Sequence, residues 1–486
     1  HSPRIPRYVV HNFLLFLFIR ECGTMPKKYH IDFKPTLPRY TPLGKSGVVD
    51  FREGCQRCGQ CAKKACIYNV YDKRCFDSGQ MTDSIDYLCK NCFRCVQQCK
   101  KGLLNKSVNP EYIKMGDAYW TPEIISTNWT QAETGKIPVS GAGYGGPFSG
   151  PGFDSMWTDM SEIVRPTRDG IHGREYINTS VDIGRKLEKL QFGAAGELLS
   201  SPPPLLELPL PLVMATPSFG HVTEKVRLTL AMAAARLGTF FIVAAEQYDK
   251  SLAHYKQHII PRISQESYPS FKGKLSGHRA VEGIYSKKMR PLWQEIKQNH
   301  PEMLISIKLP LDGNELPAVA ELALQGAEII HLCADEHGNE IGAATPRFIK
   351  DMVRRAHLHL VERSLRDQVT LLASGGIAMA EHVAKIIICG ADAAVMDIPL
   401  LLAFECRLCK NCEKKRPCPV TIDSIEPAWG TQRVLNLMSA WRNQLLEILG
   451  AMGMREVRRL RGEAGRAMFF EDLEADIFGK IFGERI

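Results

Sequence analysis

Val369-Thr370-Leu371-Leu372-Ala373-Ser374-Gly375-Gly376 is the stretch that decides the fold, together with the helical segment Val383 to Cys389 and the run Ala391-Asp392-Ala393-Ala394-Val395-Met396. Two short apolar runs joined by a helix read as parallel strands with a crossover, because a tight hairpin connects only antiparallel neighbours. The same unit recurs on the amino-terminal side. Leu212 to Thr216, Thr239 to Ala245, Leu304-Ile305-Ser306-Ile307-Lys308 and Glu328 to Leu332 are strand candidates. Between them stand helical segments from Val222 to Leu237, around His254, through Ala323 and through Arg363. This alternation over about 200 residues predicts an α/β fold with a parallel sheet: a TIM (β/α)8 barrel, with an open doubly wound sheet as the alternative. In a barrel, residues at the carboxyl ends of the strands face the site, which places Lys308 and Gly375-Gly376 there.

The second organising feature is cysteine. Cys55, Cys58, Cys61 and Cys66 form C-x2-C-x2-C-x4-C, and Cys89, Cys92, Cys95 and Cys99 form C-x2-C-x2-C-x3-C. Three thiolates on a short loop with a fourth from elsewhere suit a cubane iron–sulfur cluster, and in two-cluster ferredoxins the fourth cysteine of each run serves the other cluster. Cys55, Cys58, Cys61 and Cys99 are then expected to hold one [4Fe–4S] centre, and Cys89, Cys92, Cys95 and Cys66 the second. Zinc is the rival, but it leaves the third cysteine of each triplet less well explained. Ile67 and Lys100 stand where bacterial ferredoxins carry proline. A third group, Cys406-x2-Cys409-x2-Cys412-x5-Cys418-Pro419, follows the last strand and permits another [4Fe–4S] centre, with zinc again the rival. Cys75 reads as a spare thiol, and Cys333 and Cys389 as buried apolar filler.

The chain has 486 residues, 44% of them hydrophobic, enough for two to four domains. Its formal charge of +9 is cut by bound clusters, each carrying about −2 with its thiolates, so nucleic acid is not the implied partner. Lys63, Lys64, Lys73, Arg74, Lys90, Arg94, Lys100 and Lys101 surround the first two runs; they either guide an acidic electron carrier or compensate the clusters. Clustered ligand thiols imply a reducing compartment, and the cytoplasm is the expectation. No apolar run reaches the roughly 18 residues of a membrane span. Residues 1–24 are expected to be a leader outside the native fold, and residues 25–54 an extended arm broken by Pro35, Pro38 and Pro42. Gly141-Ala142-Gly143-Tyr144-Gly145-Gly146 matches G-x-G-x-x-G, but Pro147, Gly150 and Pro151 forbid the helix that motif requires, so it reads as a loop. Residues 110–138 read as aromatic-rich and irregular, and Ser200 to Pro211 as a linker covering something apolar.

From Ser306-Ile307-Lys308-Leu309, and again from Gly326 to Val420, the sequence resembles the central FMN-binding domain of glutamate synthase. The matching stretches are Gly326-Ala327-Glu328-Ile329-Ile330, Leu365-Arg366-Asp367-Gln368-Val369, Ser374-Gly375-Gly376, Gly390-Ala391-Asp392 and Cys418-Pro419-Val420, with Pro217-Ser218-Phe219-Gly220 at the first barrel loop. Arg165 to Arg168 and Thr179 to Asp182 loosely resemble the leader that precedes the barrel in flavin-dependent oxidases. The resemblance implies FMN in the barrel beside an iron–sulfur centre that the family holds with three cysteines, so the third group is either [3Fe–4S] or, with its four, [4Fe–4S]. It implies Lys308, His337 and Glu340 as catalytic residues, and Ser218, Lys308, Ser374, Gly375 and Gly376 as cofactor contacts. The family's second phosphate-binding glycine loop aligns with Val395-Met396-Asp397-Ile398, where Asp397 would repel a phosphate. The family's glutaminase domain has no counterpart, so nitrogen is expected from free ammonia, an amine or a separate ammonia-supplying subunit.

The expected organisation is a leader (1–24), a ferredoxin-like two-cluster module (25–110), an irregular leader and linker (111–209), the barrel (210–405), an iron–sulfur segment (406–431) and a C-terminal helical tail (432–486) with Arg455, Arg458, Arg459 and Arg461 exposed. The implied function is an oxidoreductase of the CH–NH2 class. It would pass electrons from ferredoxin or another redox subunit through the clusters to FMN, for reductive amination of 2-oxoglutarate or a related small 2-oxoacid, in an oligomer. The alternatives are an electron-transfer subunit with a degenerate barrel, marked by Asp397, and a flavin barrel acting on an N-methylated amine.

Overall fold

The structure is a computed structural model describing residues 29–50, 55–56, 58–72, 85–137, 150–158, 176–201, 203–286, 289–463, 465, 467–479, 481 and 483. The leader, Cys75, the glycine-rich loop at 141–146 and the segment 165–168 lie outside the described residues.

The arm from residue 29 runs into a strand, Ser46–Asp50, which pairs antiparallel with Leu104–Val108. These strands close off the small cysteine-rich module, where the helix Arg94–Gln98 packs on the turn Gln60–Ala65 around Ala65, Val70, Tyr71, Cys95 and Leu104. The region expected to be irregular contains a helix, α1 (Pro122–Thr134). Its stop and start signals are plain in retrospect. Thr121 caps Ile124 N, Pro122 stands at the first turn and Gly135 ends it at φ 69°.

Eight parallel strands then close into a barrel: β1 Leu212–Ala215, β2 Phe241–Ala244, β3 Ile259–Ile263, β4 Ala280–Ile284, β5 Leu304–Pro310, β6 Ile329–Cys333, β7 Thr370–Ser374 and β8 Ala393–Met396. Pairing of Ala394 with Leu212 and Val395 with Val213 joins the ends, which decides for the closed barrel over the open sheet. Around it stand α2 (Glu224–Leu237), α3 (Arg290–Asn299), α4 (Glu315–Leu324), α5 (Ile349–Glu362), α6 (Ala380–Ile388) and the short α7 (Ile398–Ala403). In α2 the stripe Val226, Leu230, Ala234 and Leu237 is buried, the helical period that marked it in the sequence.

β3 and β4 were not legible. β3 follows a 3-10 helix, Lys250–His258, in the segment expected to be helical around His254, and β4 follows only the short helical turns Tyr268–Phe271 and Lys272–Lys274. Pro261 interrupts one strand, and Arg262 and Glu282 put charge where a barrel strand is ordinarily apolar. The proline–leucine linker does cover apolar surface: Leu205–Leu208 pairs antiparallel with Val181–Gly184, burying Leu206 and Leu208. Hydrogen bonds between Gly184 and the Thr370 hydroxyl, at the start of β7, fix this hairpin at the bottom of the barrel.

α8 (Pro427–Ala451) packs on α2, α1 and α6. Its buried Asn436 donates to Lys34 O (2.7 Å) and Ala132 O (2.9 Å), fastening the amino-terminal arm and α1 to the barrel. Beyond α8 the tail departs from the helical expectation. Ala467–Phe469 is a strand paired antiparallel with Met156–Thr158. Arg461 is not an exposed residue; its guanidinium meets Asp392 at 2.9 Å, beside the Arg366–Asp392 pair, and Asp367 at 2.7 Å. No helix among the described residues is long and apolar enough to cross a membrane.

Candidate active site at the barrel mouth

The interior of the barrel is charged near the carboxyl ends of its strands. On β3 and β4, Arg262 Nε donates to Glu282 Oε1 at 2.6 Å. The other carboxylate oxygen, Oε2, meets His331 Nδ1 of β6 at 2.7 Å and lies 3.5 Å from the Ser306 hydroxyl of β5. His331 Nε2 lies 2.8 Å from Ser374 Oγ at the end of β7. Glu282, Ser306, His331 and Ser374 are all buried. Burial opposes ionisation of Glu282, but Arg262 and His331 outweigh it and hold the carboxyl well below the usual range. Burial also lowers His331, only partly offset by Glu282, with Lys308 and Arg262 lowering it further, so the imidazole is neutral at pH 7. Of this layer the sequence analysis singled out only Ser374. His331 and Glu282 carry no motif, and only the barrel's register sets them beside each other.

Lys308 lies on β5 two residues beyond Ser306, on the same face of the strand and paired in register with His331. It is half-buried and has no hydrogen-bond or ion-pair partner among the described residues. Asp397 follows β8 and caps α7 through Ile398 N at 2.6 Å. Burial raises its pKa, while the Ile398 amide and Lys308 pull it down. Ser218 is exposed in the loop after β1.

Gly375 and Gly376 sit at φ +107° and +66°. A Cβ on Gly375 would lie 2.5 Å from Asp335 O, and one on Gly376 2.8 Å from Gly338 Cα. The close backbone approach expected at this pair is therefore made by the β6–α5 loop, residues 334–338. Gly375→Ala is expected to cost about 1–3 kcal/mol in chemical denaturation, since it adds left-handed strain to a clash with backbone. A cost within error would mean that the loop moves aside.

That loop carries His337 and Glu340, and the structure separates them. His337 Nε2 meets Asp117 Oδ2 at 2.9 Å, while Trp120 Nε1 donates to Glu336 O at 3.0 Å and Tyr119 OH donates to Gly376 O. The segment Asp117–Trp120, unremarked in the sequence, thus braces the β6 and β7 loops. Glu340 is occupied by Arg347, with Nε–Oε2 and Nη2–Oε1 distances of 2.8 Å.

On α6, just past the glycines, Glu381 accepts from Gln444 Nε2 at 2.8 Å, but its Oε1 is buried without a hydrogen-bond partner among the described residues. Burial pushes its pKa up to about 7, from an ordinary 4.5, with Lys385 and Gln444 offsetting part of that and Asp154 adding to it. The folded state therefore holds a proton that the unfolded state has lost between those values, and stability falls as pH rises through that window. Glu381→Gln is expected to be more stable than the unsubstituted protein at pH 8, the gap closing below about pH 4.5 where both states are protonated. Denaturant midpoints at the two pH values check this; an equal gap at both would mean Glu381 is not the titrating group.

The cysteine runs share a backbone conformation. In the second run Asn91 and Phe93 flank Cys92 at φ 55° and 56°; in the third, Leu408 and Lys410 flank Cys409 at φ 48° and 51°. In the first run Gly59, just after Cys58, is at φ 66°. Two non-glycine residues in this costly region in each of the second and third runs mark a wound loop whose amides turn inward. Amide N–H groups point at sulfur: Asn91 N to Cys89 at 3.4 Å, Leu103 N to Cys99 at 3.4 Å and Leu408 N to Cys406 at 3.5 Å. Lys106 Nζ also donates to Cys89 Sγ. Cys66 lines the same small cavity as Cys89, Cys92 and Cys95. Burial pushes Cys406 up to about 12, with the Leu408 amide opposing and Cys418, Cys409 and Cys412 adding to it. Among the described residues no group of three or more His, Cys, Asp or Glu is spaced to hold a single metal ion. Cys389 is buried against Met156, whereas Cys333, at the end of β6, is only partly buried.

The third run docks on the mouth. Lys410 Nζ meets Glu336 at 2.7 Å and lies 5.9 Å from the Phe219 ring of the β1 loop, and Trp129 Nε1 donates to Cys406 O at 3.0 Å.

Residues 271–455 match the conserved region in glutamate synthase. The archaeal glutamate synthase (NADPH) of Archaeoglobus fulgidus is 26% identical over 497 residues, covering 88% of this chain and 95% of that protein. The archaeal-type enzymes of Dehalococcoides mccartyi and Thermotoga maritima are 26% and 25% identical, each over 87% of this chain and 95% of theirs. The chain is similar to the glutamate synthase family over most of its length. On its similarity to these enzymes it is an oxidoreductase. The match to the family's conserved region begins within the barrel and runs through β4 to β8, the third cysteine run and α8. A solved mandelate oxidase overlays with a TM-score of 0.38 at 13% identity over 63% of the chain, too distant to add to the fold given by the strand pairing.

Proposed function

We propose that the chain is an iron–sulfur flavoprotein that reductively aminates 2-oxoglutarate or a related 2-oxoacid with ammonia. Electrons would enter at the amino-terminal cysteine module and reach the barrel through the third run. The observation that carries this reading is the docking of that run on the barrel mouth through Lys410, Glu336 and Phe219. The names of the relatives give NADPH as their reductant; a ferredoxin or another redox subunit would carry such electrons to the clusters. Run spacing and the left-handed positions on both sides of Cys92 and Cys409 favour cubane clusters over single ions.

FMN, when bound, supplies hydride to the substrate carbon. Lys308, Ser218 and Ser374, with the Gly375–Gly376 turn, are the residues that would hold it. They suit its ring end better than its phosphate end. Lys308, without an ion-pair partner among the described residues, suits an anionic ring or a substrate carboxylate, whereas Asp397, at the start of α7, is an acid where the resemblance expects a phosphate-binding glycine loop. The second reading, an electron-transfer subunit with a degenerate barrel, is favoured by Asp397 alone. Asp397→Asn keeps a capping oxygen and removes the charge, and it is expected to tighten FMN binding about tenfold in fluorescence titration. Unchanged affinity would place the phosphate elsewhere.

The deciding experiment is anaerobic purification with iron, acid-labile sulfide and flavin analysis, followed by an assay with 2-oxoglutarate and ammonium under a low-potential reductant. About 12 irons and one flavin per chain, with glutamate formed, support the proposal. Iron without flavin, even after FMN is added, leaves the electron-transfer reading. Zinc in place of iron sinks both.

A further inference from the structure

Three side chains from three strands meet inside the barrel in one hydrogen-bonded line: Glu282 Oε2 to His331 Nδ1 at 2.7 Å, and His331 Nε2 to Ser374 Oγ at 2.8 Å. We propose that Glu282, His331 and Ser374 form a proton relay, opening through Ser374 at the end of β7, that takes a proton from a nitrogen ligand, an ammonium or a protonated amine.

The direction of each bond follows from the groups at its ends. Glu282 is ionised, and Arg262 already occupies Oε1, so Oε2 can only accept. His331 must then donate from Nδ1, which fixes its tautomer and leaves a bare lone pair on Nε2. Ser374 fills that lone pair with its own O–H. Its oxygen therefore has only lone pairs to present to the mouth, where it accepts from an N–H and has no proton to offer a carbonyl. The arrangement discriminates a nitrogen donor from the oxygen of a 2-oxoacid.

Proton transfer along the line balances without a redox partner. A ligand N–H bond breaks as an O–H bond forms on Ser374; the original Ser374 O–H breaks as N–H forms on His331 Nε2. The ligand is left as a neutral amine with a free electron pair, and Glu282 faces the new imidazolium. The same steps in reverse return the proton to nitrogen. The charged and titratable groups around His331 set how long the imidazolium lasts. Glu282 favours it, Arg262 and Lys308 disfavour it, and Cys333 and Asp397 lie among the charges acting on Arg262. The relay is thus a transient base. It is loaded at pH 7 and lost when acid protonates His331 in the resting protein.

Only the identity of the ligand rests on the amination reading, so the test separates the two. In full-length protein carrying 15N-histidine, the His331 signals are assigned by their loss in His331→Gln. At neutral pH Nδ1 is expected to be protonated and Nε2 bare, and ammonium chloride is expected to shift the Nε2 signal in the parent protein but not in Ser374→Ala. Protonated Nε2 with bare Nδ1, or an equal response in Ser374→Ala, overturns the relay. In steady-state kinetics Ser374→Ala is expected to lower kcat/KM for ammonium by about 100-fold with little change in KM for the 2-oxoacid, Ser374→Thr to restore most of it, and His331→Gln to erase the acid limb of the pH profile. A merely structural network would lower both substrates' constants together and leave the acid limb in place. If the parent protein aminates no 2-oxoacid yet shows the ammonium-dependent shift, the function proposed above fails and the relay stands.

Discussion

Glu282→Ala is expected to destabilise the barrel by roughly 3–5 kcal/mol. The carboxylate is the sole anion contacting Arg262 and His331 among the described residues, and all three come from adjacent or nearby strands. Truncation leaves a buried guanidinium without its counter-ion and an imidazole N–H without an acceptor, and each carries its own desolvation penalty. Glu282→Gln keeps the volume and one acceptor and should lose less. Exposed pairs elsewhere provide the scale: Lys114–Glu111 is open to solvent, and breaking it is expected to cost no more than about 1 kcal/mol. Denaturant unfolding of the three variants checks the order. A Glu282→Ala loss no larger than that of the exposed pair would mean that water reaches the layer and solvates Arg262.

Cys412→Ala is expected to lower iron by about four atoms per chain and to reduce turnover at least 100-fold, with the amino-terminal clusters retained. The run ends a few residues beyond Lys410, which ties it to Glu336 of the mouth, so a cluster there would be the last carrier before the barrel. Cys389→Ala is the control. That thiol is buried beside Met156 at the carboxyl end of α6, and its loss should leave iron unchanged. Iron and sulfide analysis with low-temperature electron paramagnetic resonance of the reduced protein reads both. Full iron content in Cys412→Ala would remove the third run from the electron path and leave the barrel without a neighbouring carrier.

Much of this molecule is legible in its sequence, and the reason is local. Six barrel strands, the helices α2, α4, α5 and α6 and the cysteine runs announce themselves by period or spacing, both of which survive without knowing what packs where. Illegibility begins where a signal is short or inverted. β3 and β4 carry Pro261, Arg262 and Glu282 in place of an apolar pattern, and no amphipathic helix separates them. α1 hides among aromatic residues whose burial comes from α8 and the mouth loops.

The sequence by itself determined the α/β class, the three cysteine runs and the presence of Ser374 at a strand end, because each depends on neighbours a few residues away; Lys308, expected at a strand end, lies inside β5, which runs on to Pro310. Only the tertiary structure decided that the sheet closes, since closure is a pairing of β8 with β1 across some 180 residues. It alone turned Gly375 and Gly376 toward the loop at residues 334–338, occupied Glu340 with Arg347 and set the third run against Glu336. It alone assembled Arg262, Glu282, His331 and Ser374. Strand register brings those four side chains, each unremarkable in its own segment, within hydrogen-bond reach of one another.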